Sequence, residues 1–221
     1  MVQGGTMRLT KYEHACFMVE LDDQALIVDP GVFTTNLAIP NTVVAVVITH
    51  QHQDHLSNDH LEAIVTQNPE VTFIGHQDVM SQLEHNNVKT VTAGQAVSIG
   101  PFALAFFGGT HAEIHSSLPP VANLGVMIND LVYYPGDSFT VPNDKRVQLL
   151  ALPVAAPWMK ISEAIEFVRA IKPARVFPTH DAILSDTGKA LVDRLIPHLA
   201  EDTDTHYERI DGFIELPHHI K

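Results

Sequence analysis

The sequence predicts an α/β domain, and three observations support this. Apolar runs with the length and β-branching of strands alternate with segments of helical periodicity. The chain has 221 residues, 45 % of them hydrophobic, which is enough for one domain, residues 1–221, with a sizeable core. An apolar run ending in Thr-His occurs twice, at Val43 to His50 and at Arg175 to His180, which hints at a duplicated half.

Element by element, Val43 to Ile48 is a buried strand bounded by Asn41 and His50. Asp59 to Gln67 is helical until Asn68-Pro69 stops it. Val71 to Ile74 is a short strand, and Gln77 to Glu84 a second helix. Val88 to Val91, Ala96 to Ile99 and Phe102 to Phe107 are strands. Leu124 to Ile128 and Leu131 to Tyr134 form a hairpin around Asn129-Asp130. A strand from Leu149 to Val154 precedes an amphipathic helix in which Ile161, Ala164, Ile165, Val168 and Ile171 recur at helical spacing, and Lys172-Pro173 ends it. A last helix is expected from Thr187 to Ile196, with Pro197 breaking or kinking it.

The stretch after the first Thr-His strand carries most of the functional information. His50, His52, Asp54 and His55 fall within six positions on a loop that begins where the strand ends. Nitrogen and oxygen donors packed this closely repel one another unless a cation binds them, and imidazole with carboxylate suits zinc or a similar transition metal. A polar loop whose histidines cap backbone groups or face water is the other reading, and the density of the cluster disfavours it.

This His-x-His-x-Asp-His pattern resembles the signature of the metallo-β-lactamase superfamily. The resemblance implies a four-layer αββα sandwich and two metal sites. His50 and His52 would hold the first metal, and Asp54 and His55 the second. It also implies three downstream ligands, each just after a strand. His111 follows Gly108-Gly109-Thr110, with His115 as a rival four residues on; His111 is favoured because it lies nearer the strand end. Asp137, in Gly136-Asp137-Ser138, would bridge the metals, and His180 would complete the second site. Leu9 to Phe17 and Leu26 to Gly31 look like the family's two opening strands, with Asp29 as a hydrogen-bond acceptor beneath the metal loop. The chain most resembles small stand-alone metal-dependent hydrolases related to L-ascorbate-6-phosphate lactonase. Antibiotic-hydrolysing members of the best-known zinc class place a cysteine where this chain has Asp137, so β-lactam hydrolysis is disfavoured.

Two divalent ions, zinc first and manganese or iron also accepted by these donors, would lie about 3.5–4 Å apart and share a hydroxide made from water near neutral pH. Asp54 could orient that hydroxide and receive its proton as the catalytic carboxylate. Asp29, Glu113 and Asp181 are candidate acceptors for the imidazole N–H groups. His14, His115, Phe139 and Trp158 lie on segments expected near the metal mouth and are candidate substrate contacts; Trp158 is either an exposed lid or a packed edge of the core. The remaining histidines, His60, His76, His85, His198, His206, His218 and His219, are expected at the surface.

Charge and composition narrow the function classes. With 13 Lys and Arg against 26 Asp and Glu, the net charge of −13 leaves no basic footprint for nucleic acid. A phosphodiesterase or nuclease on the same scaffold is therefore the second reading. A di-iron redox protein is the third; the resemblance implies that it would carry a carboxylate for one motif histidine and an added flavodoxin-like domain. No apolar run is long enough to cross a bilayer, the first residues lack a signal-peptide pattern, and one cysteine, Cys16, fits a reducing cytoplasm. Cys16 is expected to be a small buried hydrophobe in an alternating strand. The expected partner is a small-molecule substrate, with no nucleic acid and no membrane.

Overall fold

The computed structural model describes residues 5–217. Strands β1 (Thr6–Lys11), β2 (Phe17–Leu21) and β3 (Gln24–Val28) form an antiparallel meander, and β4 (Val43–Ile48) runs parallel to β3. After helix α1 (Asn58–Gln67) come β5 (Thr72–Gly75), the short α2 (Gln77–Met80) and β6 (Val88–Thr90). The next strands are β7 (Ala96–Ile99), β8 (Phe102–Gly108), β9 (Leu124–Ile128), β10 (Val132–Tyr134) and β11 (Leu149–Pro153). Helix α3 (Ile161–Ile171), β12 (Arg175–Thr179), helix α4 (Asp186–Leu199), β13 (His206–Tyr207) and β14 (Phe213–Pro217) complete the chain.

Two mixed seven-stranded sheets result, ordered β14-β1-β2-β3-β4-β5-β6 and β13-β12-β11-β10-β9-β8-β7. Their inner faces meet in a core that includes Leu9, Phe17, Val28, Val47, Phe102, Phe106, Tyr134 and Phe177. Leu61 and Ile64 of α1 and Val79 and Met80 of α2 cover the outer face of the first sheet. Ala164, Phe167 and Val168 of α3 and Val192 and Ile196 of α4 cover the second. The order is helices, sheet, sheet, helices, the expected αββα sandwich. Each sheet is thus buried on both sides, which is why β4 and β11 are continuous apolar runs rather than alternating ones.

Local signals explain most boundaries. Ser57 caps α1 by accepting from His60 N at 3.4 Å. At the other end, Asn68 accepts from Val43 N at 3.0 Å, which ties the helix terminus to the start of β4. Asn129 and Asp130 both adopt left-handed φ (51° and 54°) in the hairpin between β9 and β10, as a two-residue turn of this hand requires. Ser185 caps α4, and Glu163 accepts from Lys160 N at 2.6 Å at the start of α3.

Several expectations need correction. The stretch Leu9 to Phe17 is not one strand but the end of β1, a tight turn and the start of β2; Cys16 lies in that turn, fully buried, and burial pushes its thiol up to about 12. Helix α2 stops at Met80 because Gln82 N and Leu83 N bond three residues back, to Val79 O and Met80 O, tightening the chain out of the α-helix. Helix α4 passes through Pro197 to Leu199, since burying Ile196 and Ala200 on the second sheet outweighs one lost helical N–H. His60, His76 and His85 are half-buried: His60 Nδ1 donates to Pro30 O, His76 caps α2 and His85 stacks on Phe73. His198 and His206 are exposed, and His218 and His219 lie outside the described residues.

The turn after β3 touches the metal loop backbone directly. A Cβ on Gly31 would stand 1.8 Å from Asp54 O and 2.5 Å from His55 N, so only glycine lets the two segments meet. Gly31→Ala should therefore destabilise the fold by about 2 kcal/mol or more and lower metal retention. Thermal unfolding of wild type and variant with metal removed and restored measures both effects.

Candidate metal centre

Every residue of the site stands at or just beyond the C-terminal end of a strand. Asp29 follows β3; Thr49 to His55 follow β4; His111 follows β8; Asp137 follows β10; and His180 follows β12. Open α/β sheets place ligands at the carboxyl ends of their strands, where loops diverge and backbone groups are free. Both sheets contribute, and Leu124 N donates to Thr49 O at 3.0 Å across them.

Two quartets of donors converge. His50, His52, His111 and Asp137 have ligand atoms mutually within 4.8 Å, and so do His14, Asp54, His55 and His180. Asp137 stands between them. Its Oδ2 is 3.2 Å from His111 Nε2 and 4.0 Å from His50 Nε2, while its Oδ1 is 2.9 Å from His180 Nε2 and 3.2 Å from His55 Nε2. Asp54 Oδ2 lies 3.5 Å from His180 Nε2 and 3.6 Å from His55 Nε2. His52 Nδ1 faces His50 Nε2 at 3.1 Å. The seven residues expected as ligands are thus brought together, and His14 joins them.

The far side of each ring explains how the rings are held. His50 Nδ1 meets Thr49 Oγ1 at 3.0 Å, and that hydroxyl donates in turn to Asp29 at 2.6 Å. His55 Nδ1 donates to Asp29 at 2.6 Å, His111 Nδ1 to Ala112 O at 2.5 Å and His180 Nδ1 to Ala155 O at 2.9 Å. With Nδ1 committed as donor in all four rings, each Nε2 turns a lone pair toward the centre. Converging lone pairs repel unless a cation takes them, so the donor set fits divalent metal ions. Two further signs agree. His111 Nε2 and Asp137 Oδ1 are buried without a hydrogen-bond partner. Burial disfavours a charge on His55, yet the Asp137 and Asp29 carboxylates more than offset it and carry its pKa well above the usual imidazole value. The carboxylates thus favour a positive charge at that point, a proton on Nε2 or a cation in its place. His50, by contrast, is held well below that value by burial and by the neighbouring His55.

Of the three carboxylates proposed to hold imidazole N–H groups, Asp29 alone does so; Glu113 is exposed and Asp181 is engaged by Arg209. His115 is exposed and caps its own turn, bonding Ser117 N and the Ser117 hydroxyl, whereas His111 is buried in the first quartet. Trp158 is not an exposed lid. It is 9 % exposed, and its Nε1–H donates to Asp137 Oδ2 at 2.7 Å. Phe139 packs between Trp158 and Phe167, on the second helix layer. His14, expected to contact substrate, is buried with Nε2 3.1 Å from Asp54 Oδ2. Burial alone would raise Asp54, but the His14 bond and the nearby His55 and His180 rings bring its carboxyl down to about 2. Asn123, which no sequence pattern singled out, is wholly buried; it accepts from Asp137 N at 3.0 Å and donates to Pro135 O at 2.9 Å, fixing the Asp137 turn.

Three of these residues adopt left-handed backbone although none is glycine: His14 (φ 57°), Asp29 (φ 45°) and His180 (φ 64°). Such positions cost of order 1–3 kcal/mol each and persist where surrounding contacts fix them. Here His180 N donates to His14 O at 3.1 Å, and Lys11 Nζ donates to the same carbonyl at 2.8 Å.

Two outcomes are expected from these contacts. Asp29→Asn should weaken metal binding about 10–100-fold, read by competition with a chelator, because the His55 ring loses its charged acceptor. His14→Ala should lower metal content at the second quartet, while His14→Gln, which keeps a donor toward Asp54, should restore most of it. Elemental analysis of the two variants distinguishes a hydrogen-bonding role from direct ligation, in which Gln would restore nothing.

Comparison with known proteins agrees with this geometry. The model of the β-lactamase superfamily domain matches residues 8–180. Protein Rv0786c of Mycobacterium tuberculosis is 32 % identical over 207 residues, covering 91 % of this chain and 95 % of its own. The UPF0173 metal-dependent hydrolase MJ1163 of Methanocaldococcus jannaschii is 27 % identical over 78 % of this chain and 83 % of its own. Igni18, a metallo hydrolase of the archaeon Ignicoccus hospitalis, superposes with a TM-score of 0.73 at 18 % identity, over 98 % of this chain and all (100 %) of its own, and shows the same fold. With most of its length matched by the family model and the donor residues in place, the chain belongs to the β-lactamase superfamily domain family.

Proposed function

We propose that this protein is a dinuclear metal-dependent hydrolase of a small ester, lactone or phosphate-bearing metabolite. The observation that carries the reading is Asp137, which turns one carboxylate oxygen to each of two histidine-rich quartets. His50, His52 and His111 would hold the first metal, Asp54, His55 and His180 the second, and Asp137 both. Zinc is the first choice, with manganese or iron compatible with the all-nitrogen-and-oxygen set. Such a metal pair would supply a water-derived nucleophile near neutral pH and polarise the carbonyl or phosphoryl oxygen of the substrate, making the attached carbon or phosphorus electrophilic.

The protein's own residues do the rest. Asp54, whose side chain is 23 % exposed, is the more accessible of the two carboxylates in the quartets and is placed to orient the attacking water. His14 orients it, and Trp158 holds Asp137 from the dry side. The similarity to named metal-dependent hydrolases supports hydrolysis, and lactones stay in the substrate class on the sequence resemblance alone. A net charge of −13 disfavours a nucleic-acid substrate, and a single buried cysteine suits a reducing cytoplasm. Among the described residues no helix is long and apolar enough to cross a membrane.

Reconstitution with excess zinc, manganese or iron should give two metal ions per chain by elemental analysis. The protein should then turn over at least one member of a panel of chromogenic esters, lactones and phosphodiesters. Asp137→Asn should lower that turnover by roughly two orders of magnitude or more and release one metal, with the fold retained. One metal or none at saturation, or an Asn variant with full activity, would overturn the dinuclear reading.

A further inference from the structure

Among the described residues, six of the ten exposed large apolar side chains, Val32, Phe33, Ile114, Leu118, Val141 and Ile183, lie on the loops of the metal centre. Phe33 meets the His14 ring edge-on at 5.0 Å between centroids; Ile114 and Leu118 follow His111, Val141 follows Asp137 and Ile183 follows His180. Their exposure runs from 37 % at Ile114 to 53 % at Leu118. Apolar side chains scattered singly on a surface are ordinary, whereas several on the loops of one site mark a surface that an apolar group covers.

Two hollows border the quartets, and they differ in chemistry. One, about 360 Å³, lies beyond His14 and is lined by Lys11, Lys189 and Arg209 together with Glu13, Asp181 and Asp211. Two of its cations are engaged: Lys11 donates to backbone carbonyls, and Arg209 pairs with Asp181 and Asp193. The other, about 520 Å³, has His52 and His111 in its wall, beside Ile114, Leu118, Pro120 and Val121. Glu113 is the one Asp, Glu, Lys or Arg among the described residues lining it. Its size falls within the range of about 300–1,000 Å³ typical of small-ligand sites. Apart from the metal that His52 and His111 would hold, an anionic group would meet no Lys or Arg there and one carboxylate.

The geometry points to this second hollow as the binding site for the apolar arm of an uncharged substrate, an acyl chain or aryl group of an ester or lactone. This rests on the hydrolase reading above and narrows it. The reacting carbonyl would sit at the His52 and His111 end, with the arm running along Ile114, Leu118 and Val121. Water then adds its oxygen to the acyl carbon, the acyl C–O bond breaks, and the leaving alkoxide takes up a proton, giving acid and alcohol. Since each buried methylene contributes about 0.8 kcal/mol, each should raise kcat/KM up to about fourfold until the hollow is filled.

The test uses the metal-reconstituted full chain with p-nitrophenyl acetate, butyrate and hexanoate. We expect kcat/KM to rise at least threefold per added methylene. Leu118→Asp, at a half-exposed position that tolerates a polar group, should lower the hexanoate value at least tenfold. It should lower the acetate value far less, so that the hexanoate-to-acetate ratio falls, with metal content unchanged. Calorimetric titration with 1-octanol reads the same site without turnover: wild type should bind it, and Leu118→Asp at least tenfold more weakly. If octanol binds in this way but no ester, lactone or phosphodiester of the panel is cleaved, the hydrolase reading fails and the apolar site stands. If wild type does not bind octanol, or if Leu118→Asp leaves octanol affinity and the chain-length dependence unchanged, the apolar site is overturned.

Discussion

A single buried carboxylate organises the centre. Asp29 is wholly inaccessible and accepts three hydrogen bonds: from Thr49 N at 2.8 Å, from the Thr49 hydroxyl at 2.6 Å and from His55 Nδ1 at 2.6 Å. A charge at that depth is tolerable only with this degree of compensation. The first two bonds lock the end of β3 to the end of β4; the third fixes the tautomer and plane of one imidazole. Through the Thr49 hydroxyl the influence reaches His50 as well. The left-handed backbone of Asp29 and the absence of a side chain at Gly31 let the turn after β3 pass under the histidine loop.

The second sheet answers with a different device. There the carboxylate itself belongs to the donor set, and neutral groups hold it: Asn123 takes the Asp137 N–H, and Trp158 donates to Oδ2. Gly136, at φ 63°, leaves room for Asn123, since a Cβ would stand 2.3 Å from the Asn123 amide oxygen. A neutral donor on Oδ2 leaves the negative charge of Asp137 intact for whatever lies between the quartets. The first sheet thus orients the His50 and His55 rings through one carboxylate, and the second orients His111 and His180 through backbone carbonyls and supplies the carboxylate between the two groups.

What the sequence disclosed follows from how local each signal is. The strands β4, β9 and β12, the α3 helix and the Asn129-Asp130 turn are set by runs of a few residues, and all were legible. The clustering of His50, His52, Asp54 and His55 is equally local. His111, Asp137 and His180 could be named only because each follows a strand in the order the family resemblance implies. His14 and Trp158 were singled out as near the site, but their bonds to Asp54 and Asp137 span 40 and 21 positions and left no local signal. Asn123 gave no signal, since an asparagine at a strand entrance is ordinary until the fold buries it. The turn between β1 and β2 was hidden because Tyr12 to Ala15 contain no glycine, proline, asparagine or aspartate to mark it.

The bond from His180 N to His14 O joins a turn of the first sheet to a strand end of the second, at two residues that both hold an unfavourable backbone. Donors of each quartet also come from both sheets. Ions bound there are cross-links between the layers, and their binding energy adds to the cohesion of the sandwich. With metal bound at the quartets, resistance to unfolding and supply of metal would become one variable, and loss of metal would loosen the seam between the two sheets, at the end where the strained residues lie.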